Sequence, residues 1–108
     1  MQIPPASTPV ACDMSRARDT PGERLAEYRR LFGRALTARE RTAAGIRFRF
    51  RAEPGVEAWV RDLAAREKDC CPFFGFEITV EGDEVRWEAA VPDTAAAKAV
   101  LEDFYALS

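Results

Sequence analysis

The sequence predicts an α+β fold. It is a two-layer sandwich in which a three-stranded, mainly antiparallel sheet carries helices on one face, in the order α-β-α-β-β-α. Three observations predict it. Residues 46–51, Ile-Arg-Phe-Arg-Phe-Arg, alternate strictly between apolar and charged, which is the pattern of a half-buried strand. Two further alternating runs flank Gly82-Asp83, which reads as a hairpin. Three other segments repeat apolar residues at helical spacing. Strands with one apolar and one charged face describe an antiparallel sheet covered on one side only.

Residues 1–19 contain Pro4, Pro5 and Pro9 among scattered Ser, Thr and Asp, and read as a flexible arm carrying Cys12. Residues 20–108 form a single domain. Thr20-Pro21-Gly22-Glu23 opens its first helix: Thr20 caps, Pro21 fits the first helical position and Glu23 completes a capping box. The apolar stripe of that helix is Leu25, Tyr28, Phe32, Ala35 and Leu36. The helix fades near Thr37, and a polar stretch leads to the strand at Gly45. Pro54 opens a second helix with the stripe Val56, Trp59, Val60 and Leu63, continuing to Glu67 and Cys70, and Pro72 stops it. In the hairpin, Phe74, Phe76, Ile78 and Val80 face one way and Glu77, Thr79 and Glu81 the other. Val85, Trp87, Ala89 and Val91 return. Asp93 caps a last helix with the stripe Ala97, Val100, Leu101, Phe104 and Leu107.

The chain of 108 residues is long enough for one core without staples. Its net charge is −2 with arginines spread along it, so it has no electrostatic footprint for nucleic acid. No apolar run approaches membrane-spanning length. The start MQIPPASTPVAC ends in a Cys after small residues but lacks a positive start and an apolar centre, and is not read as a signal. The expected location is cytoplasmic, with reduced thiols. No Gly-rich phosphate loop marks a nucleotide cofactor. The open sheet face sets Arg47, Arg49 and Arg51 against Glu77, Glu81, Arg86 and Glu88. It reads as a solvated, salt-bridged surface, or else as the contact face of a homodimer or a partner.

The stretch EKDCCPFF, residues 67–74, raises the functional question. Three cysteines is an odd number, so they do not all pair within one chain. Cys70 continues the buried stripe of the second helix. Glu67 falls on the same stripe, where a carboxylate needs a partner. A Cys70–Cys71 disulfide is disfavoured, because adjacent α-carbons lie about 3.8 Å apart. Cys12 has the reach to join the pair from the arm. The chain has no histidine, which excludes Cys-His hydrolytic chemistry. It also leaves zinc, which takes four ligands, in need of a carboxylate, a water or a second subunit. Two or three thiolates suit soft ions: Cu(I), Hg(II) or trivalent arsenic. Hard ions have no recognisable site. The helix C-terminus does not favour a thiolate, and the C-x-x-C spacing of thiol oxidoreductases is missing. Packing is the plain alternative, since Cys is among the most buried residue types. Phe73, Phe74, Phe76, Trp59 and Trp87 read as core.

The run from Leu63 to Glu67 through Cys70-Cys71-Pro72-Phe73-Phe74, then Phe76-x-Ile78-x-Val80, resembles a family of small bacterial proteins. They share an E-x-x-C-C-x-F motif, a hairpin and a short helix, with an upstream Ala-Cys step matched by Ala11-Cys12. The Tyr28–Leu36 helix fits too. Such proteins look like companions of heavy-metal-responsive regulators. The resemblance implies soft-metal handling and points to Cys12, Glu67, Cys70 and Cys71. The first reading is therefore soft-metal or metalloid binding by these residues, with Hg, Cu(I) or Zn as the ion and no catalytic residue assigned. Two others stay open: a protein-interaction or homo-oligomerising module with structural cysteines, and a small thiol enzyme, organometal cleavage included.

Overall fold

The computed structural model describes all 108 residues. It is α+β, with three helices packed on one face of a four-stranded antiparallel sheet. The elements are α1 (Pro21–Ala35), β1 (Leu36–Arg41), β2 (Gly45–Arg51), α2 (Val56–Cys70), β3 (Gly75–Glu81), β4 (Glu84–Ala90) and α3 (Ala95–Tyr105). The sheet order is β1-β2-β4-β3. No helix is long and apolar enough to cross a membrane.

The fourth strand corrects the expected three. Residues 36–41, Leu-Thr-Ala-Arg-Glu-Arg, continue directly from α1 and pair with β2 after an irregularity between Leu36 and Ala38. The segment shows no apolar alternation because charged residues occupy both of its faces. Arg39 and Arg41 take the helix side, where their guanidinium carbons lie 4.8 and 4.4 Å from the ring centre of Tyr105. Glu40 takes the open side and accepts from Arg47 and Arg49. On this largely exposed strand, arginines stacked on an aromatic ring take the place of an apolar stripe.

The other elements form for the reasons expected, with small shifts at their starts. Thr20 and Glu23 make the reciprocal capping box of α1. α2 begins at Val56, two residues after Pro54, behind Gly55 at φ +88°. Thr94, not Asp93, caps α3, its hydroxyl accepting from the Ala97 N–H. Asp93 instead pairs with Lys98. In the sheet, Phe48 opposes Trp87 across β2 and β4, and Ile78 opposes Trp87 across β3 and β4. These side chains, with Tyr28, Phe50 and Phe104, make an aromatic core against the helices.

The opposite face is charged and internally paired. Arg47 binds Glu40 and Glu88, Arg49 binds Glu40 and Glu84, and Arg86 binds Glu81 and Glu84. Arg51 joins Glu53 instead, and Glu77 takes the amino terminus of Met1.

Residues 1–19 contain no helix or strand but lie along the domain. Gly75 is buried beneath the start of the arm, where a β-carbon would run into the backbone oxygen of Gln2. Val10, Met14 and Ala17 pack against the core.

Candidate functional site

The site forms where α2 ends. The Cys71 N–H closes the last turn on the Glu67 carbonyl at 2.8 Å. Lys68 then reaches forward, its ammonium donating to the carbonyls of Pro72 at 2.7 Å and Phe74 at 2.5 Å. A cation that satisfies carbonyls beyond a helix C-terminus fixes the path of the chain there. The turn through residues 71–74 is held, and with it the placement of both cysteines. Cys70 and Cys71 are each about 5% exposed.

The arm reaches this turn by a backbone hydrogen bond. The Asp13 N–H donates to the Cys70 carbonyl at 2.8 Å, and the Asp13 carboxylate accepts from the Ser15 N–H. Cys12 is thereby set beside the helix end. The structure bonds it to Cys71 as a disulfide across 59 residues, and leaves Cys70 as the free thiol. This corrects the expectation that all three sulfurs are thiols. The expected approach of Cys12 is present, and its partner is the second cysteine of the pair.

Beneath the sulfurs lies a buried ionic cluster between α1 and α2. Arg24 is 4% exposed and is the one charged residue in the core. Its guanidinium donates to both oxygens of Asp19, at 2.6 and 2.8 Å, and to Glu67 Oε2 at 2.9 Å. Its Nη2 also lies 3.8 Å from Cys70 Sγ. The other Glu67 oxygen accepts from the Tyr28 hydroxyl at 3.1 Å. Burial, and then the charge of Glu67, push the Tyr28 phenol well above its ordinary range, so it keeps its proton and donates. Hydrogen bonds from Arg24, joined by its charge and that of Arg66, hold the Asp19 carboxyl down at about 2. Arg66 extends the cluster to Glu27, which also accepts from the Trp59 indole N–H.

Glu67 thus has the partners its position demanded. Both of its oxygens are engaged by Arg24 and Tyr28, so it positions the site and is not a free metal ligand. Arg24 was hidden in the sequence. It belongs to a stripe with Tyr28, Leu31, Phe32 and Ala35, and Leu25 beside it also fits an apolar spacing. The readable signal is a basic residue on the stripe of one helix facing an acidic residue on the stripe of the next.

The four residues named from the sequence, Cys12, Glu67, Cys70 and Cys71, converge, but not as equals. With Cys12 and Cys71 bonded, no three Cys, Asp or Glu side chains are grouped to hold a metal ion. Reduction of that bond supplies two further thiols at the same place. Zinc is the poorer fit, because the engaged Glu67 leaves the three sulfurs without a fourth ligand. Soft ions that accept two or three thiolates match the donor set.

Compared with protein-family models, with characterised proteins and with solved structures, the chain matches none.

Proposed function

We propose that this protein binds soft, thiophilic metal or metalloid ions in the cytoplasm through Cys12 and Cys71 in their reduced form, with Cys70 beside them. One observation carries the reading. The fold brings the thiol of an otherwise irregular arm to the end of α2, onto the second of two adjacent cysteines. Packing alone does not call for this, since Cys12 is exposed. Two sulfurs close enough to bond are close enough to share one Hg(II), Cu(I) or As(III) centre. The disulfide is then the closed state, and two cellular thiols open it by exchange, giving both cysteines as thiols and leaving as their own disulfide. The role is sequestration or transfer of the ion.

The test is titration of fully reduced protein with Hg(II), Cu(I) and As(III) under a competing thiol. One-to-one binding is expected. It should be lost in Cys12→Ser and Cys71→Ser and in the oxidised protein. Affinity no greater than that of free thiols overturns the proposal.

A second reading rests on Arg24, whose guanidinium stands against Cys70 Sγ. Reactive thiols occupy such electropositive surroundings. In this reading Cys70 attacks Cys12 Sγ, forming a Cys12–Cys70 bond and releasing Cys71 as the thiolate. Peptide mapping of the non-reduced protein distinguishes the two states. A Cys12–Cys71 pairing that never exchanges, even at raised pH, rules this reading out.

A further inference from the structure

The surroundings of the three sulfurs differ, and the difference selects a ligand. Two clefts flank the Cys12–Cys71 bond. One, about 190 Å³, is walled by Phe74, Val100, Phe104 and Leu107. The other, about 240 Å³, is walled by Met14, Leu25, Tyr28 and Leu107. Both have Cys12, Cys71 and Glu67 in their lining; the exposed Asp103 stands at the first cleft, and Arg24, in the lining of the second, matches the charge of Glu67. Cys70 lines neither. It opens on the opposite side, onto polar clefts lined by Asp13, Arg16 and Asp69. The helix end therefore presents two sulfurs to an apolar surface and turns the third away.

We infer that the ligand of the reduced Cys12/Cys71 pair is a mono-organo arsenic(III) centre, R–As(OH)2, whose aryl or alkyl group R lies in the apolar clefts. The inference rests on the thiol-binding reading above and names its substrate class. Inorganic arsenous acid has three hydroxyls to exchange and is fully ligated by three thiols. A pair of thiols leaves one hydroxyl on it, facing Phe74, Val100 and Leu107. The mono-organo species has two hydroxyls and one carbon substituent, which matches two thiols and an apolar wall. In the reaction two As–O bonds break and two As–S bonds form. Each thiol proton leaves with a hydroxyl as water, and arsenic stays trivalent. Burial of R against carbon surface adds the hydrophobic contribution that a hydroxyl lacks.

The experiment compares phenylarsonous acid with arsenite on the reduced, full-length protein, with dithiothreitol as the reference dithiol. The protein's preference for the phenyl compound is expected to exceed that of dithiothreitol by tenfold or more. Val100→Asp, or Leu107→Asp should the first fail to fold, is expected to remove that excess. Cys70→Ser is expected to retain phenylarsonous acid binding. A preference equal to dithiothreitol's, with arsenite still bound, overturns the organic ligand and spares the thiol site. Loss of phenylarsonous acid binding in Cys70→Ser overturns the two-thiol assignment. Failure of the wild-type protein to bind either compound overturns both this inference and the proposed function.

Discussion

Arg24 and Glu67, 43 residues apart, meet at 2.9 Å between the first turn of α1 and the last turn of α2. The pair ties together the two helices that enclose the cysteines. Asp19 completes the charge balance from the residue before the α1 cap. Removing one partner of a buried ion pair leaves an uncompensated charge and typically costs about 3–5 kcal/mol. Arg24→Met takes the cation from Glu67 and leaves Asp19 with Arg66 alone, and should lie in that range. Glu67→Gln keeps a hydrogen-bonding side chain and should cost less. Urea denaturation of the two variants checks the order, and equal effects would show that the charge of Glu67, not its shape, is what matters.

The same cluster sets an acid limb. The folded carboxyl of Asp19 lies at about 2, below its ordinary 3.8. A depressed carboxyl contributes stability that is complete above the unfolded pKa and is lost as pH falls through the folded one. The expected window is pH 4 down to pH 2, and the expected loss is roughly 2 kcal/mol. In Arg24→Met the loss over that window should shrink, because its largest cause is gone. Stability measured at pH 5, 4, 3 and 2 tests this, and parallel curves for wild type and variant would refute the assignment.

The Cys12–Cys71 bond closes a loop across 59 residues. Cross-links of this span restrict the unfolded chain and typically stabilise by about 2–4 kcal/mol. Reduction should therefore lower the melting temperature by roughly 10 °C or more in a domain of this size. Cys12→Ser should melt near the reduced wild type, with or without reductant. Cys70→Ser should retain the response to reductant. If Cys70→Ser abolishes that response and Cys71→Ser does not, Cys70 is the partner of Cys12.

Tyr105 is the cover of β1. It receives Arg39 and Arg41 on its ring and stacks on Phe48 at 6.5 Å. Each exposed cation–π contact is worth about 0.5–1 kcal/mol. Tyr105→Ala, which also loses the packing, should destabilise by about 2–3 kcal/mol. Hydrogen exchange should quicken first in residues 36–41, and protection of the central β2–β4 pairing should outlast it. Uniform loss of protection across the sheet would show that β1 is not an independent unit.

These residues also show what was legible in the sequence. β2, β3 and β4 were readable because each has one dry and one wet face, and a period of two records that directly. β1 was not, because its helix-side positions hold the exposed Arg39 and Arg41, which stack on a Tyr105 that arrives from 66 residues away. Glu67 was conspicuous as a carboxylate on an apolar stripe. Its partner Arg24 was not, because Leu25 beside it satisfies the same helical spacing. The meeting of Cys12 with the pair was foreseeable from reach alone. Which cysteine it bonds was not, because that depends on one hydrogen bond, from Asp13 N–H to the Cys70 carbonyl.

The arm has a second anchor at Gly75. A β-carbon there meets the backbone of Gln2 and Ile3, so Gly75→Ala should lift the first residues away while the hydrogen bond at Cys70 stays. In the oxidised protein the disulfide still holds Cys12 in place, and the variant should differ from wild type only by faster proteolysis of residues 1–10. In the reduced protein both the disulfide and the Gly75 contact are gone. Cys12 is then held near Cys71 by the Asp13 bond and the packing of Val10 and Met14. Lower effective concentration of its thiol should weaken soft-ion binding by up to ~10-fold, with no change in the melting temperature of the oxidised state. Thiol-competition titration of the reduced variant measures this. If affinity is unchanged while proteolysis rises, residues 9–14 alone position Cys12, and the start of the arm serves only to cover β3.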